Sequence, residues 1–271
     1  MKLEANRYIV QKYYPVRLAD NSWDNTGLLV DASTETIESN ELNVLLTVDL
    51  TQSVTEEAIS NKCKVIMAYH PFIFRGLKSI TSDVPQQRSL LKLIQNNISV
   101  YCPHTAVDSA NGGVNDFLVK AITEEKNIAS KEVIEKNEEL EDCGMGRIVN
   151  VREPILLGDV VERVKKTLGL DKVQVARARN QDGNQEIRQV AICAGSGGSL
   201  FKGLRSDLYF TGELSHHQTL YLTESGSTVI ACHHSNTERA FLSVMAQQLE
   251  TEIPQARILI SQQDKDPYDI W

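Results

Sequence analysis

The stretch that decides the fold reads VLLTVDLTQSVTEEAISNKCKVIMAYHP and spans residues 44–71. It contains two short apolar runs rich in β-branched residues, at 44–48 and 65–68, and such runs are typical of buried strands. Between them, the spacing of apolar residues over 53–61 predicts a helix. A strand, a helix and a second strand in this order indicate an α/β fold in which helices connect parallel strands.

The same alternation continues on both sides of a charged segment at residues 130–142. Because this segment has few large apolar residues, we predict that it connects a first α/β half, residues 1–129, to a second half, residues 143–271. Further predicted elements are strands at 98–101, 173–176, 190–193, 208–210, 229–232 and 257–260, and helices at 89–96 and 115–122, from Asp159, and around Phe241 to Leu249.

The composition is that of an ordinary globular protein, with 271 residues of which 41% are hydrophobic and 24% charged. The formal net charge of −8 argues against direct binding of nucleic acid, because phosphate contacts require clustered Lys and Arg. No apolar stretch approaches the length of a membrane span, so we expect no membrane partner. The five cysteines are widely spaced in mostly apolar runs, which predicts reduced core thiols in an intracellular protein.

The expected location is the cytoplasm, because the N-terminus lacks the apolar core of a secretory signal. Mitochondrial import stays open as an alternative, since Lys2, Arg7, Lys12 and Arg17 stand near the N-terminus against Glu4 alone. A nuclear location is a further alternative.

The six histidines of the chain fall in only four places. His70 and His104 each follow a predicted strand, and the pairs His216-His217 and His233-His234 lie in the last quarter of the sequence. Taken singly, each histidine is more often a hydrogen-bonded structural residue than a ligand. The carboxyl ends of strands in an open α/β sheet share one edge, however, and ligands bind there. The four places are therefore predicted to converge on a site at strand carboxyl ends.

Imidazole and carboxylate groups are the usual ligands of zinc, iron and manganese. These places supply enough of both to bind one or two divalent ions per chain. The candidate ligands are His70, His104, Asp108, His234 and Glu238.

Glu238 has two competing interpretations. It follows His234 at the i, i+4 spacing, so on a helix both side chains would face one ion. It also follows Ser235 at the spacing of a capping box, in which it would bind a backbone N–H at the helix start.

The glycine-rich segment at 195–198 also has two interpretations. It follows a predicted strand and precedes a short helix, an arrangement in which backbone N–H groups bind an anion. It lacks the lysine of a P-loop, and a tight turn is the alternative.

Seven ordered motifs stand along nearly the whole chain. They are Trp23-Asp24-Asn25-Thr26-Gly27-Leu28, Tyr69-His70-Pro71-Phe72-Ile73-Phe74, His104-Thr105 to Asp108, Gly112-Gly113-Val114-Asn115-Asp116, Gly144-Met145-Gly146-Arg147, Asp207 to Glu213 with Thr211-Gly212-Glu213, and His234 to Glu238. In these motifs the chain resembles the NGG-interacting-factor-three-like proteins, whose bacterial members are often described as type-two GTP cyclohydrolase I homologues.

The resemblance implies two interlinked α/β subdomains with mixed sheets, a ring-like homo-oligomer such as a hexamer, and a dinuclear metal centre facing a central cavity. The metal ligands that it implies here are His70, Asp108, His234 and Glu238. The first histidine of the family's His-His-Pro motif is replaced by Tyr69, a poor ligand for most divalent ions because of its high pKa. A single tight ion at His70, Asp108 and Glu238, with a weaker one near His234, is the expectation that follows.

The chemistry expected of such a site is metal-dependent hydrolysis, with His104 or His217 as the catalytic proton carrier. The resemblance points to a nucleotide-like substrate and to ring opening of GTP. A different class of function is a metal-containing oligomer that acts through a protein partner, such as a transcriptional adaptor. A third alternative is a residual structural metal centre.

Overall fold

A computed structural model of the chain describes residues 10–32, 42–179, 181 and 184–270. The basic residues Lys2 and Arg7 and the acidic Glu4, on which the mitochondrial alternative partly rests, lie outside the described residues. The chain divides into two compact units, one made of residues 1–107 and 242–271 and the other of residues 108–241. None of the helices in the described part of the chain has the length and apolar character that a membrane span requires.

The first unit is built on a five-stranded sheet with the order β1-β4-β3-β2-β11. Strands β2, β3, β4 and β11 are parallel, and β1 is antiparallel to β4. Burial drives its formation, because the central strands are buried at nearly every position, as fully covered parallel strands are. The strands are β1 (Gly27–Val30), β2 (Asn43–Thr47), β3 (Val65–Ala68), β4 (Ser99–Cys102) and β11 (Arg257–Ile260).

The helices of the first unit start where the local sequence supplies a suitable first turn. The hydroxyl of Thr51 accepts a hydrogen bond from the N–H of Val54 and caps α1. Pro85 begins α2, where its missing N–H costs nothing. The bounds are α1 (Gln52–Ser60), α2 (Pro85–Gln95), α3 (Thr105–Ser109), which reaches the boundary between the units, and α8 (Leu242–Glu252).

The second unit is built on a six-stranded sheet with the order β5-β6-β8-β9-β10-β7. Strands β8, β9 and β10 are parallel and the remaining pairs are antiparallel. The strands are β5 (Ile128–Lys136), β6 (Gly144–Leu156), β7 (Gln174–Ala176), β8 (Glu186–Ser196), β9 (Leu208–Glu213) and β10 (Thr228–Ala231), and the helices are α4 (Val114–Ile122), α5 (Leu157–Leu168), α6 (His216–Glu224) and α7 (Asn236–Arg239).

The predicted fold class, α/β with two mixed sheets, is confirmed. The predicted boundary at 130–142 does not coincide with the division into two units, which falls after residues 107 and 241. Most of that segment belongs to β5, which pairs with β6 at the edge of the second sheet. Its charged side chains are the exposed residues of an edge strand, where charge is common, and not those of a linker. The end of the chain belongs to the first unit, because β11 pairs with β2.

A buried ion pair lies inside the second unit. Arg147, only 1% exposed, donates from Nε and Nη2 to the carboxylate of Asp116 at 3.1 and 2.8 Å. Its other N–H groups bind the carbonyls of Gly144, Gly146 and Ala110, so every donor of the guanidinium is satisfied. Burial raises the pKa of Asp116, but the hydrogen bonds and charge of Arg147 outweigh it and the pKa is lowered.

We expect Arg147→Met to destabilise the protein by about 3 kcal/mol, because it leaves the Asp116 carboxylate buried without its main partner. Urea denaturation followed by circular dichroism measures this. The matched control is Arg188→Met, which removes a pair with Glu186 whose side chains are mostly exposed, and should cost less than about 1 kcal/mol.

The pH dependence gives a second readout. Since the folded pKa of Asp116 is lowered, its contribution is complete above the ordinary carboxyl pKa and is lost as the pH falls towards the lowered value. Equal stability losses in the two arginine variants would contradict the assignment.

Candidate metal site

Two histidines of the first unit each bind a carboxylate through Nδ1. His70 follows β3, and its Nδ1 lies 2.8 Å from Oδ1 of Asp49, which follows β2. His104 follows β4, and its Nδ1 lies 2.7 Å from Oδ1 of Asp24, just before β1. Because β2, β3 and β4 are parallel and β1 is antiparallel, all four residues lie at the same edge of the sheet. A carboxylate on Nδ1 fixes the orientation of an imidazole and directs its Nε2 to a ligand.

The two imidazoles lie close together beside Tyr69. The ring centroids of His70 and His104 are 5.5 Å apart, and that of Tyr69 is 5.5 Å from the first and 6.1 Å from the second. All three pairs are edge to face, an arrangement that aromatic rings favour. Tyr69 itself is buried, so its ring packs within the histidine cluster.

The Asp24–His104 pair is tightly constrained. Burial raises the pKa of Asp24, but hydrogen bonds and charge from His104, together with a hydrogen bond from the Thr105 hydroxyl, lower it overall. The backbone of His104 has a φ of 31°, which is uncommon for a residue other than glycine and concentrates at functional sites. His233 is strained in the same way, with a φ of 69°.

The second unit contains a third histidine–carboxylate pair. His234 follows β10, and its Nδ1 lies 2.9 Å from Oε1 of Glu213 at the end of β9. Its Nε2 lies 3.5 Å from Oε1 of Glu238 on α7. Glu238 is only 3% exposed, so its carboxylate faces Nε2 of His234 from a buried position.

The capping alternative for Glu238 is wrong. Ser235 precedes α7 but makes no side-chain cap, and its hydroxyl accepts a hydrogen bond from Arg239 instead. The 3.5 Å contact between Glu238 and His234 shows instead that the two side chains lie on the same side, as the i, i+4 spacing predicted.

The glycine-rich segment makes a tight turn against this pair. The N–H of Gly195 donates to Thr237 and that of Gly197 to Thr211, so these groups are not available to an anion and the turn interpretation holds for them. Gly195 has a φ of 61°, and a Cβ there would lie 2.9 Å from both His234 Nε2 and Glu238 Oε1. Glycine at 195 thus keeps open the space beside the two candidate ligands.

Asp108 is a buried residue of α3, at the beginning of the second unit. Its carbonyl accepts a hydrogen bond from the Asn115 side chain. Burial raises the pKa of the Cys193 thiol most strongly, and the negative charges of Asp108 and Glu238 raise it further. The two carboxylates therefore lie near one buried point of the second unit. All five cysteines are buried and free.

His217, the second predicted proton carrier, lies near the start of α6 and is exposed. It lines a groove of about 410 Å³ together with Phe201, Lys202 and Tyr221. Neither His234 nor Glu238 is among the residues that line this groove.

Three carboxylates that pair with the candidate histidines were not identified from the sequence: Asp24, Asp49 and Glu213. Each is a carboxylate at the end or start of a strand, at the edge where the histidines lie. The signal was present for Asp49, which follows its strand in the same way as His70, and for Asp24 and Glu213, which lie in family-like motifs. The sequence did not predict these pairings, because they depend on which strands are neighbours in the sheet.

The comparisons with known proteins agree with this fold. A model of the family Duf34/NIF3 (NGG1p interacting factor 3) matches residues 1–267. The chain is 47% identical to NGG1-interacting factor 3 of Saccharomyces cerevisiae, over 96% of this chain and 94% of the relative. It is 30% identical to the GTP cyclohydrolase 1 type 2 homolog of Clostridium perfringens, over 99% of each. The structure of a Bacillus cereus protein related to NIF3 has the same fold, with a TM-score of 0.83 at 21% identity and coverage of 99% of this chain and 98% of that chain.

The fold of two mixed sheets and the ordered motifs define a protein of the NIF3 type. The chain belongs to the Duf34/NIF3 family.

We expect neutral His104 to have its proton on Nδ1, because the Asp24 carboxylate can only accept a hydrogen bond. Long-range ¹H–¹⁵N NMR of the histidine rings measures this. In Asp24→Asn the preference should weaken, because an amide can donate as well as accept, while the tautomer of His234, which Glu213 fixes, should not change. A proton on Nε2 of His104 in the unsubstituted protein would contradict the expectation.

Proposed function

We propose that the protein binds a divalent metal ion through His70, Asp108, His234 and Glu238 and hydrolyses a nucleotide-like substrate with it. The observation that carries the proposal is the carboxylate on Nδ1 of each of the two candidate ligand histidines. Histidines that bind metal almost always donate their other ring nitrogen to such a group, which fixes the tautomer and raises ligand basicity.

The chemistry of the donor set fits a metal ion. His70, His234 and Glu238 could each supply one ligand atom to the same ion, and Asp108 would add a second carboxylate. Two imidazoles with carboxylates suit zinc, iron or manganese better than calcium or magnesium, which prefer oxygen alone. The space that Gly195 leaves beside His234 and Glu238 supports the same fit.

The number of ions depends on position 69. A phenol has a pKa near 10 and is a poor ligand for most divalent ions, and the Tyr69 ring packs edge to face on His70 and His104. We therefore propose one tightly bound ion, with any second ion bound more weakly.

A bound divalent ion would supply Lewis-acid polarisation of a substrate oxygen. The chain's own residues would manage the protons. The Nδ1–H of His104 donates to Asp24, so Nε2 is the nitrogen that can accept a proton. Nε2 can take this proton from a water molecule and later give it to the leaving group. The buried Asp24 carboxylate would stabilise the imidazolium that forms between the two transfers. His217 is the second candidate for this role.

The substrate class rests on a relative. The protein of Clostridium perfringens is named as a GTP cyclohydrolase 1 type 2 homolog, and ring opening of a purine nucleotide is a hydrolysis that a site of this kind can support. A purine nucleotide is therefore the first substrate to test.

A binding function is the second candidate, because the yeast relative is named for its interaction with NGG1. In that case the metal site would be structural. The protein would be a homo-oligomer, such as a hexameric ring, and would bind a protein partner in transcription. A nuclear location would go with this candidate, and a cytoplasmic or mitochondrial one with the hydrolase.

We expect Gly195→Ala to lower metal content severalfold while the protein stays folded, because the new Cβ would contact both His234 and Glu238. The matched control is Gly203→Ala. Gly203 has a φ of 82° with nothing within 4 Å of a Cβ, so it imposes a similar backbone cost of about 1–2 kcal/mol without obstructing the site. Mass spectrometry of metal after chelation and reloading compares the two, and equal metal content would disprove the role of Gly195.

We expect Asp108→Ala and Glu238→Ala each to reduce metal content and to lower GTP hydrolysis at least 100-fold, since each removes a proposed ligand. The control is Glu162→Ala, an exposed carboxylate on α5. Metal is counted by mass spectrometry, and GTP and phosphoester hydrolysis are assayed on the same samples. If the protein binds metal but shows no hydrolysis that depends on Asp108 and Glu238, the binding function is favoured.

A further inference from the structure

We propose that Trp23 and Phe74 form a stacking surface for a nucleobase beside His104. The proposal deepens the proposed function, on which it rests, by naming the part of the substrate that the first unit would recognise. All residues concerned belong to that unit.

Both rings are exposed although they are large and apolar. Trp23 is 51% exposed and Phe74 44% exposed, and their ring centroids lie 6.1 Å apart with an angle of 57°. The indole of Trp23 also lies 5.8 Å from the His104 ring, edge to face. Apolar side chains that are exposed singly need no explanation. Here two exposed rings lie together, and one of them contacts the imidazole of a histidine–carboxylate pair.

The indole is fixed before any ligand arrives. Its Nε1 donates to Oδ2 of Asp20 at 2.7 Å, and the N–H of Asp20 donates to the Thr105 hydroxyl at 3.0 Å. That hydroxyl in turn donates to Asp24. The ring is thus connected through hydrogen bonds to the same carboxylate that orients His104, and a ligand would not have to immobilise it.

The Phe74 segment is tied to the same loop. The side chain of Asn25 donates to the carbonyl of Ile73, which connects the residue after Asp24 to the residue before Phe74. The two rings are therefore positioned by one hydrogen-bonded network.

A nucleobase fits this surface better than a protein side chain does. The rings offer an apolar face, and the groups around them are polar: Asp20, Asn25 and His104. A planar heterocycle has the same combination of an apolar face and a polar edge, and stacking on an aromatic side chain is a recurrent source of affinity for bases. A base stacked on Trp23 would lie beside the imidazole proposed to move protons.

The test uses the metal-free protein, so that binding is measured without turnover. In a Trp271→Phe background, Trp23 is the remaining tryptophan, since the chain has two. Titration with GMP should change its fluorescence, and titration with ribose 5-phosphate should not. No response to GMP, or an equal response to both, would overturn the proposal.

Substitutions separate stacking from a general effect on the fold. Trp23→Ala should weaken GMP binding roughly 10-fold by calorimetry, Phe74→Ala should weaken it less, and Trp23→Phe should restore most of the affinity. The control is Leu156→Ala, which removes an exposed apolar side chain of the second unit and should leave GMP affinity unchanged. Loss of self-association in Trp23→Ala with GMP affinity intact would instead assign these rings to a protein contact. Binding of GMP by the metal-free protein, together with no GTP hydrolysis by the metal-loaded protein, would disprove the proposed hydrolase and leave the stacking surface standing.

Discussion

The hydrogen bond between a carboxylate and Nδ1 of an imidazole is the interaction on which the site depends. A free imidazole has two interchangeable nitrogens and rotates, so it presents no defined donor or acceptor to a ligand. Asp49, Asp24 and Glu213 remove that freedom from His70, His104 and His234. Each pair joins residues that are distant in sequence, and each requires two neighbouring strands to end in register. The pairing of the strands, and the residues at which they end, therefore determine which carboxylate meets which histidine.

The same arrangement concentrates negative charge. The chain has a formal net charge of −8, and several of its carboxylates, including Asp24, Asp108 and Glu238, are buried. Buried carboxylates are costly unless hydrogen bonds or cations offset the lost hydration. Asp24 is stabilised by His104 and Thr105, and Asp116 by Arg147 and Lys131.

Much of the fold was predictable because its signals are local. The strand at 257–260 and the helix predicted at 53–61 follow from apolar spacing, and the α/β class follows from their alternation. The division into units was not predictable, because it depends on β11 pairing with β2, two strands at opposite ends of the chain. The candidate ligands His234 and Glu238 were identified from i, i+4 spacing. Asp49 and Asp24 were not, since nothing local connects either residue to its histidine.

The pairing of β11 with β2 also determines how the chain can fold while it is being made. The second unit, residues 108–241, is one continuous stretch of the chain. The first unit cannot complete its sheet until the C-terminal strand has been synthesised. Until then β2 is an open edge of apolar residues, of the kind that pairs with other chains. Loss of the C-terminal strand β11 would therefore leave the sheet of the first unit incomplete, although most of that unit comes from residues 1–107.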